Sequence, residues 1–568
     1  MNFKRIFVYI LLPLFLLICF VLEERCQIKE ENASESSVLD NIYISQNRES
    51  FQKIRLFAHM ESDSYHVYIP SNEKSGFKVF FEYSKEMVLE DWILSDGDEL
   101  PELVQGKIYV LQMKDWNDEI IADVKVQFYF LNDVATVFID TKSGTMDKIE
   151  ADKDYEETAQ YAVYTQEGIL DIKGECSIKG RGNYSWRQVQ KPYNINLEDD
   201  ETILGMKAQK KWALLSNWGN DIRQLRNKVA LDIGRQAGIP YSTQCEFVNL
   251  YLNGRYNGMY LLSQGVNIEE DVVLEFDERY KVESAYFTTK HQNVVIKEPR
   301  KVSAEQYVSI SNFLQQADTA IYNETGINND TGKVYSEYID MNSWALMYGL
   351  QEYFVQWDVE FSSFYLYMRE ENPILYAGPI WDFDYSCGEL YYGYCPKLTS
   401  NSLWVKDFKG RWLKNLSRHG EFQEYCANTY LNLLSPIISK YLEEEYWALV
   451  DNIDNAVYID SIRWSKGNIN VEECAKQLYD WLTARQTFLD NYYENEDGYY
   501  RVVFNLPWGT IYYYTEKDTA LGFLPTTEYG EEVGDTDIIG WKNEAGERVD
   551  ADDIITRDIV YEPIMSSD

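Results

Sequence analysis

Short runs that alternate apolar and polar residues appear near both ends of the chain. Between residues 51 and 131 they include HVYIP, FKVFFEY, KIYVLQM and VKVQFYF, separated by turn-forming residues. This period of two predicts strands with one buried face, and their spacing predicts a small β-sandwich over residues 51–134. Short strands return from Tyr499 to Ile564, which predicts a separate β module over residues 499–568.

The central part of the chain begins with a strong helical pattern. Apolar residues recur at helical spacing from Leu225 to Ile233. Asn220 or Asp221 can cap the start of this helix, and Gly238 ends it.

A hairpin and a second helix follow. In EFVNLYLNGRYNGMYLLSQ two apolar runs flank Asn253-Gly254, a dipeptide typical of the type I′ turn. Further on, SWALMYGLQEYFVQ places apolar side chains on one helical stripe from Trp344 to Phe354. The mixture predicts an α+β fold for residues 135–493, flanked by small all-β domains.

The N-terminus carries the longest apolar run of the chain. Two cations precede the run from Ile6 to Leu22, and acids follow it. This order predicts a signal or, more in keeping with the absence of a small-residue cleavage site, an uncleaved membrane anchor over residues 1–25. Residues 26–50 are polar and predict a tether, so we expect an extracytoplasmic protein, membrane-anchored or secreted, that meets the membrane through its N-terminus only.

Charge and composition exclude several functions. The 568 residues carry a formal net charge of −40, which repels nucleic acid and argues against a nucleic-acid partner. No CxxC pair and only four histidines are present, so zinc binding and histidine-based catalysis are not expected. Cys387 and Cys395 can either close a small loop or remain buried thiols.

Three carboxylates occur around a predicted hairpin. Asp358 follows the second helix, and the strand-like runs SSFYLYM and ILYAGPI are joined by a turn before Asp382 and Asp384. Antiparallel pairing of strands of about six residues would return the chain to its starting end. We therefore expect Asp358 and Asp382 to lie at the same end of the hairpin.

Paired acids of this kind have several uses. They can divide the work of phosphoryl transfer between a base and a metal ligand, flank a sugar, or bind calcium structurally. The order of acid, hairpin and acid parallels the catalytic loop and metal-binding aspartate of protein kinases. Solvated hairpin ends also carry acids, so spacing alone leaves these alternatives open.

A glycine-containing block lies upstream, in IKGRGNYSWRQVQKPYNINL. Gly180 and Gly182 allow close approach of the backbone to a ligand, and the neighbouring cations can balance phosphate charge. The block is not a Walker loop, because GxxxxGK[ST] is missing. An ordinary glycine-rich turn with exposed cations is the alternative.

Taken together, these segments resemble the spore coat protein H (CotH) kinase family. The likeness runs through KGRGNYSW, KPYNINL, the helix around Leu225, FVNLYLNGRYNGMYLL, VVIKEP, QWDVEFSSFYLY and AGPIWDFDYSCG, over about residues 135–493. The C-terminal residues resemble, more loosely, the small β-grasp repeats of bacterial surface proteins. The family resemblance implies an atypical protein-kinase-like fold that phosphorylates serines with ATP and Mg²⁺ or Mn²⁺.

The resemblance also implies roles for individual residues. Asp358 is similar to the catalytic aspartate that orients and deprotonates the acceptor hydroxyl, while Asp382 and Asp384 are similar to the metal-binding pair. Many family members have a metal-binding asparagine shortly after the catalytic aspartate; serines occupy that stretch here, so Ser363 is the expected third ligand. Four basic residues are assigned to the nucleotide phosphates: Lys179, Arg181, Lys191 and Arg226.

Three functions follow as hypotheses. The first is a membrane-tethered kinase acting on serine-containing surface or spore-coat proteins. The second is an inert CotH-like protein with a structural or surface-attachment role. The third is glycan binding or cleavage, suggested by 46 tyrosines, 15 tryptophans and the paired acids, although aromatic residues on strands more often form core pairs.

Overall fold

The computed structural model describes residues 38–59, 62–70, 76–219, 221–369, 371–388, 400–467, 469–506, 509–525 and 538–565. No helix within these ranges is long and apolar enough to cross a membrane. The predicted anchor, most of the tether, Asn220 and Cys395 lie outside the described residues. The anchor and the Cys387–Cys395 loop therefore stay predictions.

The N-terminal β region consists of two sheets. Its strands are β1 Tyr43–Ser45, β2 Ile54–Arg55, β3 Phe57–Ala58, β4 Tyr65–Pro70, β5 Lys78–Phe80, β6 Glu86–Leu89, β7 Trp92–Leu94, β8 Ile108–Lys114 and β9 Ile120–Leu131. One sheet has the order β2-β1-β5 and the other β3-β4-β9-β8-β6-β7. In β8 the buried Tyr109, Leu111 and Met113 alternate with exposed neighbours, as the period of two predicts.

A closed barrel follows in the order β10-β11-β12-β13-β14-β16-β15. Its strands are β10 Ala135–Thr141, β11 Glu156–Tyr164, β12 Leu170–Gly180, β13 Tyr193–Glu201, β14 Gln209–Ser216, β15 Cys245–Leu252 and β16 Arg255–Gln264; helix α1, Asp147–Ala151, lies between β10 and β11. A parallel pair, β10 with β15, closes the barrel. The predicted hairpin turn is confirmed, because Asn253 and Gly254 have φ of 52° and 77°, as a type I′ turn requires.

The first predicted helix is α2, Arg223–Gln236. Gly238, with φ of 81°, follows its end as expected, and its amide donates to the carbonyl of Arg235. The predicted cap at Asp221 is wrong, because Ile222 occupies the N-cap position and no side chain caps the helix there. The Asp221 carboxylate instead pairs with Arg226 at 2.8 Å, one turn into the helix.

The predicted hairpin that precedes Asp382 belongs to a five-stranded sheet with the order β18-β19-β17-β20-β21. We call it the cavity sheet. The bounds are β17 Val272–Phe276, β18 Tyr286–Thr288, β19 Asn293–Glu298, β20 Phe364–Met368 and β21 Tyr376–Ala377. Strands β20 and β21 pair antiparallel, with Leu366 opposite Ala377. The second strand is shorter than the six residues expected, because Pro379 has no N–H to continue the ladder.

Among the described residues, two of the remaining helices lie between β19 and β20, and six follow the cavity sheet in sequence. They are α3 Ala304–Tyr322, α4 Met341–Phe354, α5 Trp412–Leu416, α6 Gly420–Thr429, α7 Ser435–Glu444, α8 Tyr446–Asp451, α9 Asp454–Arg463 and α10 Val471–Glu494. The predicted apolar stripe on α4 is confirmed as buried; its residues are Trp344, Met347, Leu350 and Phe354. It packs into the large core shared with α2 and the cavity sheet.

Helix α9 connects the N-terminal β region to the rest of the molecule. The amide of Asn455 donates to the carbonyl of Phe130 at 2.8 Å, and the backbone N–H of Ala456 donates to Asp133 at 2.6 Å. The Arg463 guanidinium lies 3.9 Å from the centre of the Phe57 ring. These contacts fix one side of α9 against the β region.

The C-terminal residues form a mixed sheet with the order β23-β22-β26-β24-β25. Its strands are β22 Tyr499–Leu506, β23 Gly509–Glu516, β24 Ile538–Lys542, β25 Arg548–Val549 and β26 Ile559–Met565. The sheet contacts the segment after residue 400, because Tyr514 donates its backbone N–H to the carbonyl of Asn401 and its hydroxyl to Asp407.

A fully buried ion pair holds that same segment from the other side. Glu352 of α4 and Arg485 of α10 approach to 2.8 Å, with neither side chain exposed. Glu352 also accepts backbone N–H groups of residues 404–406, and Arg485 donates to the carbonyls of Ser400 and Ser402. Every charged atom of the pair therefore has a partner, as burial of an ion pair requires.

Removing one partner of the Glu352–Arg485 pair tests whether the pair stabilises the helical region. We expect Arg485→Met to destabilise the helical region by about 3–5 kcal/mol, because the Glu352 charge stays buried without its counterion. Lys476→Met breaks an exposed ion pair with Asp480 and should change stability by no more than about 1 kcal/mol. Urea unfolding followed by tryptophan fluorescence measures both; equal effects of the two variants would contradict the assignment.

Candidate functional site

A cavity of about 640 Å³ lies between the barrel and the cavity sheet. The turn that follows β12 and the end of β14 form one wall, and the ends of β17 and β20 form the other. The loop after β21 lines the cavity between the two walls. Its volume is in the range of about 300–1,000 Å³ that is usual for small-molecule sites.

All three predicted acids line this cavity. Asp358 follows α4, whose end is turned by Val355 in the left-handed conformation, at φ of 52°. A backbone hydrogen bond of 3.1 Å from Trp357 to the carbonyl of Tyr385 joins the segment of Asp358 to the segment of Asp384. The hairpin therefore does return the chain to the end where it started.

Asp382 has a constrained backbone and a defined partner. Its φ is 68°, a left-handed value that is rare for a residue other than glycine. Ser363, also left-handed at φ of 57°, donates its hydroxyl to Asp382 Oδ2 at 3.3 Å. The serine that replaces the family's asparagine is thus close enough to share a ligand with Asp382.

Two amide side chains hold the backbone beside Asp382. Gln356 donates to the carbonyl of Asp382 at 2.9 Å, and the N–H of Phe383 donates to Asn227 Oδ1 at 2.5 Å. Sequence reasoning missed both residues. Gln356 was visible next to Asp358, but nothing in the local sequence of α2 connects Asn227 to a segment 156 residues away.

Asp384 is half-buried, whereas Asp382 is exposed. Burial, together with the nearby Asp382 and Asp358 charges, raises the pKa of Asp384 to about 7, although Arg223 acts in the opposite direction. The Arg223 guanidinium rests 4.0 Å from the centre of the Trp218 ring, and it is a third residue that sequence reasoning missed. A cation placed between these carboxylates would relieve their repulsion.

The glycine-containing block forms the opposite wall. Gly182 has φ of 77°, and a Cβ there would collide with the Ser185 hydroxyl, so the turn requires glycine. Lys179 and Arg181 on either side of Gly180 line the cavity. Burial lowers the pKa of Arg181, while Asp382 and Asp384 act to raise it, so its guanidinium shares the electrostatic environment of the acids.

The other two basic residues predicted to bind the nucleotide phosphates, Lys191 and Arg226, are not among the described residues that line the cavity. Lys191 donates to the carbonyl of Trp186 at 2.9 Å and supports the turn, while Arg226 is engaged by Asp221. The structure therefore does not bring these two cations to the acids.

Lys297 is a cation in the lining that the residue assignments missed. Its amine pairs with Glu275 at 3.0 Å, and Glu275 also accepts the backbone N–H of Ser363 at 3.1 Å. Burial acts to lower the pKa of Lys297, but the charges and hydrogen bonds of Glu275 and Glu283 together outweigh it, and the pKa is raised. The VVIKEP stretch, which carries Lys297 on β19, was the sequence signal for this residue.

Comparison with protein families decides the classification. The family model described as CotH kinase protein matches residues 178–489, more than half of the chain. The chain belongs to the CotH kinase family. The match contains α2, the cavity sheet and all three acids of the cavity, and membership indicates a kinase-like role. No curated protein matches the chain significantly.

The oxygen donors that line the cavity fit a cation held jointly with a ligand. In the part of the chain that the structure describes, no three His, Cys, Asp or Glu side chains form a ready-made cation cage. Mg²⁺ is usually held by one or two carboxylates, with waters and substrate phosphates completing its shell. Asp382 and Asp384 supply such a pair, and Ser363 adds a hydroxyl beside it.

The buried Asp384 predicts a pH-dependent stability. Because its pKa is about 7 in the folded chain and about 4 when unfolded, the folded state binds the proton more tightly, and stability falls as pH rises through that interval. Asp384→Asn removes the ionisable group, and with it this fall in folding stability as the pH rises. In EDTA we expect the variant's melting temperature to exceed that of the wild type at pH 8, with the smallest difference near pH 4.

The exposed Asp200 provides the matched control. Asp200→Asn should show no such pH-dependent gain in melting temperature. If the melting temperatures of Asp384→Asn and wild type differ by the same amount at pH 4 and pH 8, the raised pKa of Asp384 is contradicted.

Proposed function

We propose that this member of the CotH kinase family is an active atypical protein kinase, which transfers the γ-phosphoryl group of ATP to serine hydroxyls of an extracytoplasmic surface or spore-coat protein. One observation supports the proposal most strongly: Asp358, the Asp382–Asp384 pair, Lys179 and Arg181 all line one cavity. Phosphoryl transfer needs a base, a cation site and positive charge for phosphates in one place.

The residues divide the work as follows. Asp358 orients the serine hydroxyl and accepts its proton as the new O–P bond forms and the bond from the γ-phosphorus to the bridging oxygen breaks, releasing ADP. Asp382, Asp384 and Ser363 would hold Mg²⁺ or Mn²⁺. When bound, the ion offsets charge on the phosphates. Lys179, Arg181 and Lys297 balance the remaining phosphate charge.

The location proposed for this reaction rests on the N-terminus. The apolar run from Ile6 to Leu22, with cations before it and acids after it, supports an anchor that leaves the body of the chain outside the cytoplasm. The net charge of −40 favours a cationic acceptor segment over an acidic one.

An inert, structural role is the second candidate. The N-terminal β region and the C-terminal sheet lie outside the span that the family model matches, and repeat-like β modules suit surface attachment. Serine is also a weaker metal ligand than the asparagine of many family members. Phosphotransfer and nucleotide binding separate the two candidates.

The catalytic assignment predicts different defects for two aspartates. Asp358→Asn should lower kcat about 100-fold or more, the usual contribution of a general base, while ATP still binds. Asp382→Ala should lower activity and also weaken the dependence on Mg²⁺ or Mn²⁺. Transfer of label from γ-labelled ATP to a serine-rich acceptor measures both, with Asp200→Asn as control; labelling equal to wild type in both variants would refute the assignment.

Nucleotide binding predicts a thermal shift. A ligand that binds only the folded state adds about 2.7 kcal/mol of stability at 100 times its Kd, so ATP with Mg²⁺ or Mn²⁺ should raise the melting temperature. Asp382→Ala should reduce this shift. No shift at millimolar ATP with either metal would favour the inert, structural alternative.

A further inference from the structure

A buried ion pair lies behind the cavity, at the end of α9. Lys466 contacts Asp460 at 2.6 Å, and the exposed fractions of their side chains are 7% and 0%. Neither residue lines the cavity within the described residues. The groups around the pair, however, belong to segments that do.

The pair contacts both segments of the barrel wall. Lys466 donates to Gln190 Oε1 at 2.8 Å and to the carbonyl of Asn217. Gln190 in turn donates to Asp460 Oδ1 at 3.1 Å. Gln190 ends the turn that begins at Arg181, and Asn217 directly precedes Trp218, which lines the cavity. One ammonium group therefore links the phosphate-side turn to the start of α2.

From Asn217 the hydrogen bonds continue to the acidic loop. The backbone N–H of Gln224 donates to Asn217 Oδ1 at 3.3 Å, and Asn227 Nδ2 donates to Gln224 Oε1 at 2.8 Å. Asn227 Oδ1 then accepts the N–H of Phe383, between the two metal-binding candidates. We call Lys466, Asn217, Gln224 and Asn227 the amide relay; the three amide residues are buried, and the Lys466 side chain is 7% exposed.

The surroundings leave the relay little freedom. Gly258 has φ of 105°, and a Cβ there would lie 2.6 Å from Trp464 Nε1 and 2.8 Å from Gln190 Nε2. Asp460 Oδ1 also accepts the backbone N–H of Met259 at 2.9 Å. A buried ion pair is weak evidence for stability, but a fully satisfied buried network can specify one arrangement of the groups that it joins.

We propose that Asp460 and Lys466 are positioning residues, which set the Asp382–Asp384 loop and the turn after β12 at one fixed separation through the amide relay. Neither residue needs to touch substrate for this role. The consequence for nucleotide binding rests on the proposed function, whereas the consequence for loop order does not. The two consequences can therefore be measured separately.

The test compares Lys466→Met with wild type in the full chain by amide hydrogen exchange and by ATP binding with Mg²⁺. We expect exchange to accelerate about tenfold in peptides containing Phe383 and residues 181–192, as for the loss of one hydrogen bond, with barrel strand β10 unchanged. The Kd for ATP should rise by a similar factor. Lys476→Met, which breaks an exposed lysine–aspartate pair, should change neither quantity.

A second variant allows for failure of Lys466→Met to fold. Gln224→Met interrupts the relay without leaving a charge buried, and it should accelerate exchange at Phe383. Wild-type exchange around Phe383 in Gln224→Met, or in a folded Lys466→Met, would overturn the proposal and leave the pair a purely structural role. If wild type binds no ATP, the proposed function fails, while the exchange comparison still decides the positioning role.

Discussion

The site depends on holding carboxylates of like charge together at one end of a short hairpin. Asp358, Asp382 and Asp384 repel one another, and burial raises the pKa of Asp384 to about 7. The backbone around Asp382 is nevertheless fixed, because Gln356 holds its carbonyl and Asn227 holds the next N–H. Left-handed conformations at Asp382 and Ser363 are tolerated for the same reason. The protein thus keeps an electrostatically unfavourable arrangement that a divalent cation would relieve.

Regions outside the family match contribute to this arrangement at a distance. The N-terminal β region contacts α9, and the residues that follow α9 bind the loops behind the cavity. On the other side, the C-terminal sheet and the Glu352–Arg485 pair hold residues 400–407 against α4, the helix that leads to Asp358. These β regions are therefore packed against the elements that carry the site.

Local signals in the sequence were enough to predict that the acids lie at one end of a hairpin. They were not enough to identify the residues that hold the acids there. The period of two and the turn before Ile374 predicted the hairpin, and the hairpin brought Asp358 and Asp382 to one cavity. Helix α2 was predicted from its spacing, yet its cap was wrong because Arg226 attracts Asp221. Lys191 was not brought to the cavity, because the direction of its side chain depends on a contact with Trp186. Asn227 and the Glu352–Arg485 pair could not be assigned, since tertiary packing alone brings their partners together.

The proposed function depends on a divalent cation binding in the space between Asp382, Asp384 and Ser363. The most direct measurement is anomalous scattering from Mn²⁺ in crystals of the full chain grown with a non-hydrolysable ATP analogue. We predict an Mn²⁺ peak within about 2.5 Å of carboxylate oxygens of Asp382 or Asp384, with analogue phosphates on its far side facing Lys179 and Arg181. An Mn²⁺–nucleotide complex bound elsewhere, with these carboxylates unliganded, would contradict the account.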